Sequence, residues 1–481
     1  MSSLFSSLMG GTPKQSTGAR LLERLTTATQ LEDRRAALSD FRDLSADEPL
    51  RLIEKGGMSV IIAMLRTDDT QLARDALETL ANLMDAEVPR GMAEAAQVAS
   101  MHNCGVFLTN SANVSTVLNT VDNEEDDMYV RYHAVQLMMR LLTLAPAQTQ
   151  DAVLSQPAVV GRVMQLIEDK REIVRNEVLL LLAQLARGNA DLQNILAFQG
   201  AYDGLLAIAE AEQAEGAAGG AAVVHDCFRI MSSLLSHNAS NRRFFRESGS
   251  LLRLPPLLRL PPSHAKADAT TVTLNARLMW QLLAGSGGAP DADAAETQEA
   301  LLQLGVLPSL VALLTDPATA TDPSLRLQTL STLGELVRGH ARGRDELAAA
   351  HAPSKATGAR ESVLLRVLTT ALRATAGSMN ALLLQHCTAR LVACYVHRNA
   401  DAQLLLAAQL EDGRSADAPP LCALALRALL DACDGADGAS TQAAWLGCQV
   451  LCATLRDNGD VKLLLLETSA AAAADAAAAA V

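Results

Sequence analysis

His225-Asp226-Cys227 sets a base, a carboxylate and a nucleophile side by side, the residue types of an acyl-transfer relay. A relay needs its base within hydrogen-bond reach of the nucleophile. Consecutive helical residues point about 100° apart, so these three cannot form one on a helix. His133, His386 and His397 stand alone in helical runs, and there is no GxSxG elbow, HExxH pair, Walker loop or spaced carboxylate pair. The eight cysteines, Cys104, Cys227, Cys387, Cys394, Cys422, Cys433, Cys448 and Cys452, contain no CxxC. Cys448 and Cys452 could share a helix face, but without a histidine or a second pair they make a poor zinc site. The set reads as small core residues in a reducing compartment. The expectation is a chain that is not an enzyme, carries no cofactor or metal, and acts by binding.

What it binds is narrowed by charge. At a net charge of −14 the chain lacks the basic stripe that nucleic-acid phosphates require. Arg242-Arg243-Phe244-Phe245-Arg246 is basic and aromatic together, yet no second cluster accompanies it. It reads as two core phenylalanines among solvated arginines. No run of eighteen residues is apolar and free of breaks and charges, so no membrane span is expected. The first residues lack the basic region and apolar core of a secretory signal, and Ser2 stands where myristoylation needs glycine.

The elements that would hold a binding surface are helices. Residues 169–210 show the design most fully. Val174, Val178, Leu181, Leu182 and Leu185 fall on one side of a helix, with Asn176, Ala183, Gln184 and Arg187 opposite. Gly188-Asn189 ends that helix, and Asn189 or Asp191 can cap a second one carrying Leu192, Ile195, Leu196 and Phe198. After Gln199-Gly200 a third begins with Tyr202, Leu205, Leu206 and Ile208. Aromatic content is 3% and strand-forming runs are missing, so almost no sheet is expected. At 481 residues the chain exceeds a single core. The fold class is therefore all-α: an armadillo-type α-solenoid, a right-handed superhelix of helical repeats in which each repeat buries its stripe against its neighbours.

The rhythm recurs along the chain. A Ser/Gly-rich leader, 1–18, precedes a head domain over 19–468, and 469–481 is an Ala-rich low-complexity tail. Within the head, 88–105 reads as an inter-helix loop with room for a short helix, 122–127 as an acidic turn and 210–222 as a flexible Gly/Ala loop. The next helix carries Val223, Cys227, Ile230 and Leu234 as its stripe. Pro255-Pro256 and Pro261-Pro262 end or kink the segment after it. Later copies include 305–314 with 324–338, 361–374 with 381–396, and 421–430 with 442–455. Asn189, Asn238, Asn399 and Asn458 lie at the same helix-end phase.

The run Arg171 to Asn176, the leucine-rich helix after it and Ile195 to Phe198 resemble the globular head of the general vesicular transport factors, golgin-class tethers of ER-to-Golgi traffic. Further matches are collinear: Met9 to Gly11, Leu31 to Leu38, Asn113 to Leu118, Val223 to Cys227, Asn238 to Gly249, Leu278 to Leu283 and Ala352 to Ser354. The resemblance covers nearly the whole chain and thins after about Asp401. It implies a protein-binding scaffold of a vesicle tether in ER-to-Golgi and intra-Golgi traffic, cytoplasmic and peripherally attached to Golgi and carrier membranes. The implied partners are a Rab-family GTPase, an Arf exchange factor and other Golgi tethers, and the full-length members can form homodimers. Such proteins continue into a long coiled coil and an acidic end, and no stretch here shows successive a/d heptads.

Polar positions inside the matched stretches are the candidate partner-binding surface: Asp33, Arg34 and Arg35; Arg171, Arg175 and Asn176; His225, Asn238, Ser240 and Asn241. For each, capping a helix or bridging two repeats is the competing role. The rival reading is a generic armadillo adaptor, of the nuclear-import or catenin type, holding extended peptides. Import receptors repeat Trp and Asn one turn apart, whereas Trp280 has Ala284 and Trp445 has Gln449 at that spacing. A row of Trp and Asn would favour the rival, and a mixed surface of Arg, Ser and Gln would not.

Overall fold

The computed structural model describes residues 17–47, 56–85, 93–122, 127–215, 220–259, 266–284, 292–316, 322–353, 360–372, 374, 378–412, 438–464 and 466–467. The leader up to Ser16, the Met9 to Gly11 match, most of the acidic turn, Pro261-Pro262, the 421–430 helix, Cys422, Cys433 and the Ala-rich tail lie outside these residues. The chain forms two compact units, residues 1–205 and 206–481. Both are all-α and built as an armadillo-type α-solenoid. The strands among the described residues are β1 (His351–Pro353) and β2 (Arg360–Ser362), one short antiparallel pair.

The first unit holds α1 (Thr17–Thr27), α2 (Leu31–Asp47), α3 (Gly57–Met64), α4 (Thr70–Leu83), α5 (Ala93–Leu108), α6 (Ala112–Asn119), α7 (Met128–Leu144), α8 (Pro146–Leu154), α9 (Pro157–Gln165), α10 (Glu172–Leu185), α11 (Ala190–Phe198) and the start of α12 (Ala201–Glu215). Its long helices pack in series, α2 on α4, α4 on α7 and α7 on α10. The second unit continues with α13 (Gly220–Leu235), α14 (Ala239–Glu247), α15 (Lys266–Ala284), α16 (Ala292–Gln303), α17 (Val306–Thr315), α18 (Pro323–Val337), α19 (Ala341–Ala349), α20 (Val363–Leu372), α21 (Met379–Val396), α22 (Ala400–Asp412) and α23 (Gly438–Leu455). There α13 packs on α15, α15 on α18, α18 on α21 and α21 on α23.

The α10 stripe is buried as the periodicity requires. Val174, Val178, Leu179, Leu181, Leu182 and Leu185 are at most 1% exposed, while Asn176, Gln184 and Arg187 face solvent. Each such buried aliphatic side chain contributes roughly 1.5–3 kcal/mol of hydrophobic stabilisation. The turn chemistry repeats as well. Gly188, His237, Gly339, Arg398 and Asp457 all take a left-handed φ, and the next residue caps the following helix in each case. Asn189 Oδ1 accepts from Leu192 N, Asn238 Oδ1 from Asn241 N, His340 Nδ1 from Gly343 N, Asn399 Oδ1 from Ala402 N and Asn458 Oδ1 from Val461 N. The shared phase of the four asparagines is thus one N-cap used again and again.

Two kinds of polar bridge tie repeat to repeat. The first is a staircase of ion pairs. Arg35 pairs with Asp69, Arg74 with Asp127 at 3.1 Å, and Arg131 with Asp169 at 2.7 Å. In each pair an arginine in the first turns of one long helix reaches an aspartate at the start of the next. Asp69 and Asp127 are themselves N-caps, accepting from Leu72 N and Tyr129 N. The second kind is a glutamine clamp. Gln150 Nε2 donates to Leu185 O and Arg187 O, Gln298 Nε2 to Glu335 O and Arg338 O, and Gln403 Nε2 to Ala453 O and Arg456 O. Each amide sits in the short second helix of a repeat and satisfies carbonyls at the end of the next long helix, groups with no intrahelical partner.

The staircase has a pH signature. The hydrogen bond from Arg35 is the main influence holding the Asp69 carboxyl below its usual range. A depressed folded-state pKa gives stability that is present above the unfolded value, about 3.9, and is lost as pH falls through the folded value. Asp69→Asn keeps the cap but removes the charge. Its melting temperature should fall furthest below wild type near pH 7, with the gap closing in acid as the Asp69 carboxylate of the wild type takes up its proton. A gap of equal size at neutral pH and in acid would mean the ion pair does not act this way.

Four expectations are corrected. The stretch read as a loop, 88–105, is helical where it is described: α5 occupies 93–108, because its many alanines favour helix and it buries Ala96, Ala99 and Phe107, while 88–92 lie outside the described residues. Most of 210–222 is helical too, since Ala and Glu carry α12 to Glu215 and α13 opens at Gly220, leaving only 216–219 outside the described residues. On α13 the expected Cys227, Ile230 and Leu234 are buried, but Val223 is only half-buried and Val224, Phe228 and Met231 widen the buried face. Phe198 is 67% exposed at the end of α11, whose buried side is Leu192, Leu196 and Ala197.

A candidate partner-binding face

The anticipated surface residues divide sharply. Three have structural tasks. Arg35 bridges Glu32 and Asp69. Asn238 is a buried N-cap. Asn241, 1% exposed, donates through Nδ2 to Leu234 O at 2.9 Å. Arg34 is half-buried, and its Nε donates to Ala28 O. His225 Nε2 lies 3.1 Å from Thr271 Oγ1. Asp33 is exposed within 3.7 Å of Arg24. Arg175 is half-buried on α10. Arg171, Asn176 and Ser240 remain open to solvent. Asp33 to Arg35 on α2 and Arg171 to Asn176 on α10 are separated by α4 and α7.

Asn176 lies on a continuous exposed row of α10, and Arg171 is the exposed N-cap residue just before that helix. Ile173, Asn176, Leu180, Gln184 and Arg187 recur three or four residues apart and all face solvent, with Ile173 51% and Leu180 44% exposed. Beside it runs α7, joined through Gln136 Nε2, which donates to Glu177 Oε2 at 2.8 Å. One turn before Gln136 there is an aromatic group. Tyr129, 51% exposed, stacks on His133 at 6.4 Å, and Tyr132 meets the same ring edge-on at 5.4 Å. Burial holds the His133 pKa below its usual value, an effect that Glu78 opposes, so the imidazole is neutral at pH 7. Rigid aromatics, exposed aliphatics and amides side by side are the mixture on which protein interfaces concentrate their affinity. The sequence reading passed over Tyr129, Tyr132 and Ile173, although a Tyr-x-x-Tyr-His run with an exposed i,i+4 pair was there to be seen.

Two further readings change. Arg242 is buried, and Arg246, only 11% exposed at its side chain, lies 3.5 Å from Asp293 and 2.7 Å from Glu296, so neither arginine is simply solvated. Arg243 pairs with Asp293 at 2.8 Å. The reason is that α14 brings Arg243 and Arg246 within reach of Asp293 and Glu296 on α16, about fifty residues on, which the local sequence does not contain. Cys104, Cys227 and Cys394 are core residues as expected, whereas Cys387 is half-buried and Cys448 and Cys452 are exposed. In the 225–227 triplet, Asp226 pairs with Arg229, His225 with Thr271, and Cys227 is fully buried. Around Trp280 the neighbouring long helices present Gln328, Ser331 and Arg390, the mixed surface that speaks against the import-type adaptor.

Among the described residues no single helix is long and apolar enough to cross a membrane. No protein-family model matches the chain. It is 32% identical over 343 residues to the general vesicular transport factor p115 of Bos taurus, and equally to that of Homo sapiens, a match that covers 70% of this chain and 35% of each relative. It is also 28% identical over 267 residues to the intracellular protein transport protein uso1 of Schizosaccharomyces pombe, covering 55% of this chain and 24% of that one. The chain thus spans about a third of the length of the vesicular transport factors it matches. A crystal structure of Uso1-2 superposes with a TM-score of 0.75 over 95% of this chain and 73% of its own, at 19% identity. An engineered protein reaches 0.51 over 92% of this chain and 99% of its own, at 14% identity. Identity of 32% over 70% of the chain, together with a shared fold, places the chain in the family of the general vesicular transport factors.

Proposed function

We propose that the chain is the head portion of a vesicle-tethering factor, a scaffold that binds protein partners in ER-to-Golgi and intra-Golgi traffic and performs no chemistry of its own. The observation that carries this is the extended identity to vesicular transport factors. In this reading the chain is cytoplasmic and peripherally attached to Golgi and carrier membranes. Its partners are a Rab-family GTPase, an Arf exchange factor and other Golgi tethers. The α7–α10 face, with Tyr129, Ile173, Asn176, Leu180 and Arg171, is the surface we assign to one of them. Asp33 and Ser240 are the other anticipated residues left for contact.

A vesicle-docking assay driven by a full-length relative tests both levels. Purified chain in excess should compete for head-binding partners and reduce docking. Arg171→Glu combined with Asn176→Asp should restore docking while helicity and melting temperature stay unchanged, because exposed charges act on encounter more than on fold. No reduction by the wild-type chain overturns the tether reading. Reduction by wild type and double variant alike leaves that reading intact and removes the α7–α10 face from it.

A further inference from the structure

Arg326 of the second unit lacks a counter-charge. It stands in the first turns of α18, half-buried, and its Nε is shut off from solvent with no hydrogen-bond partner among the described residues. The acids of its own helix are spent elsewhere. Asp322, one turn earlier, caps α18 by accepting from Leu325 N, and Glu335 is taken by Arg338 and Arg390. The charge that acts on Arg326 is that of a second cation: burial, and after it Arg366 of α20, hold its pKa below the usual arginine value. Arg366 is half-buried too, and its Nη1 donates to a neutral group, Pro353 O, at 3.2 Å. The start of α20 adds a hydroxyl. Ser362 is 7% exposed, and its Oγ is buried without a hydrogen-bond partner among the described residues. It stands just before α20 and four residues ahead of Arg366, one helical turn, at the positive end of a helix of 10 residues. Arg360, two residues before Ser362, is on the same side of β2 and exposed, while Glu361 between them points the other way.

We infer that Arg326, Arg366 and Ser362 form an oxyanion site that takes the phosphate of a phosphorylated serine or threonine on another protein. A guanidinium withdrawn from water beside a second one costs stability until an anion joins them. A phosphate monoester is nearly doubly charged at pH 7 and offers three acceptor oxygens, which suits two guanidinium forks and a hydroxyl. A lipid headgroup shares this chemistry, but two observations favour a protein. Among the described residues no large apolar side chain is exposed on α18 or α20 to enter a bilayer, and a chain of net charge −14 is repelled by an anionic membrane. The site lies within the second unit, and its test does not involve the α7–α10 face.

The test follows the phosphorus NMR line of N-acetyl-O-phosphoserine methylamide with the whole chain at low salt. The line should broaden with wild type. Binding should weaken by roughly tenfold or more in Arg326→Met, by less in Arg326→Lys, and detectably in Ser362→Ala. In phosphate-free buffer Arg326→Met should melt no lower than wild type, since it removes a charge that the fold leaves unpaired, and the probe should raise the melting temperature of wild type alone. No broadening, equal broadening in Arg326→Met, or a variant that melts well below wild type each overturns the site. Two results would keep the site and overturn its assignment to a protein partner. Tighter binding of inorganic phosphate than of the probe would make free phosphate the occupant. Retention of wild type, and not of Arg326→Met, on phosphatidylcholine vesicles carrying a phosphoinositide would make it a lipid headgroup.

Discussion

Leu181→Ala is expected to destabilise the transition that unfolds α10 by about 2–5 kcal/mol, the usual cost of emptying a fully buried leucine site. The neighbouring Leu180→Ala should change it by no more than about ±0.5 kcal/mol. Two adjacent leucines of the same helix differ this much because Leu181 is fully buried and Leu180 is 44% exposed. The cost at Leu181 is both lost burial and a cavity that stiff neighbouring helices cannot collapse into. Because repeat arrays unfold segment by segment, hydrogen exchange of the α10 amides in a urea series is the appropriate measurement. Equal effects at the two positions would mean that α10 does not pack on α7 as described.

The second large effect should come from a residue with no hydrophobic role. Gln298 is 4% exposed, and its single amide group serves Glu335 O at 2.7 Å and Arg338 O at 2.9 Å. Gln298→Leu keeps the volume but strands the buried Glu335 carbonyl, costing roughly 1–3 kcal/mol when unpaired, and the half-buried Arg338 carbonyl, which water can partly serve. Gln298→Glu is nearly isosteric yet can only point lone pairs at those carbonyls, so its loss should be larger. Exchange should accelerate in α18 and α19 and not in α13 or α14, because the clamp couples α16 to the end of α18. Uniform acceleration across the second unit would instead make Gln298 a general core residue. A stable Gln298→Glu variant would remove the clamp from the account of stability.

Much of the architecture was legible because helices are local. Val174 to Leu185 announce their buried face at a spacing of three and four, and Asn189, Asn238, Asn399 and Asn458 announce their caps, since both signals act within one turn of chain. Where a local signal was weak the reading slipped. Alanine-rich α5 has no clear stripe, so 88–105 reads from sequence as an inter-helix loop with at most a short helix, and on α13 Val223 takes the place in the stripe that Val224 fills in the core. The family resemblance was legible for a different reason: the matched stretches keep their order along the chain, and the relatives of that family are 32% identical to it over 343 residues.

The candidate sites were less legible, since an exposed arginine and a bridging one look alike in sequence. Arg35 and Arg171 occupy equally polar stretches, yet Arg35 spans 34 residues to Asp69 while Arg171 faces solvent. The sequence by itself determined the class of structure, the phase of its helices and the family. Only the tertiary structure decided which polar groups are spent on joining repeats. It also decided that α7 and α10 place Tyr129 and Ile173 on adjoining rows, and that Trp280, Ser331 and Arg390 line one groove. The physical reason is range. Periodicity and capping act over a few residues, whereas a surface of a stacked array is assembled from side chains about fifty residues apart, paired by how ridges of one long helix settle against the next.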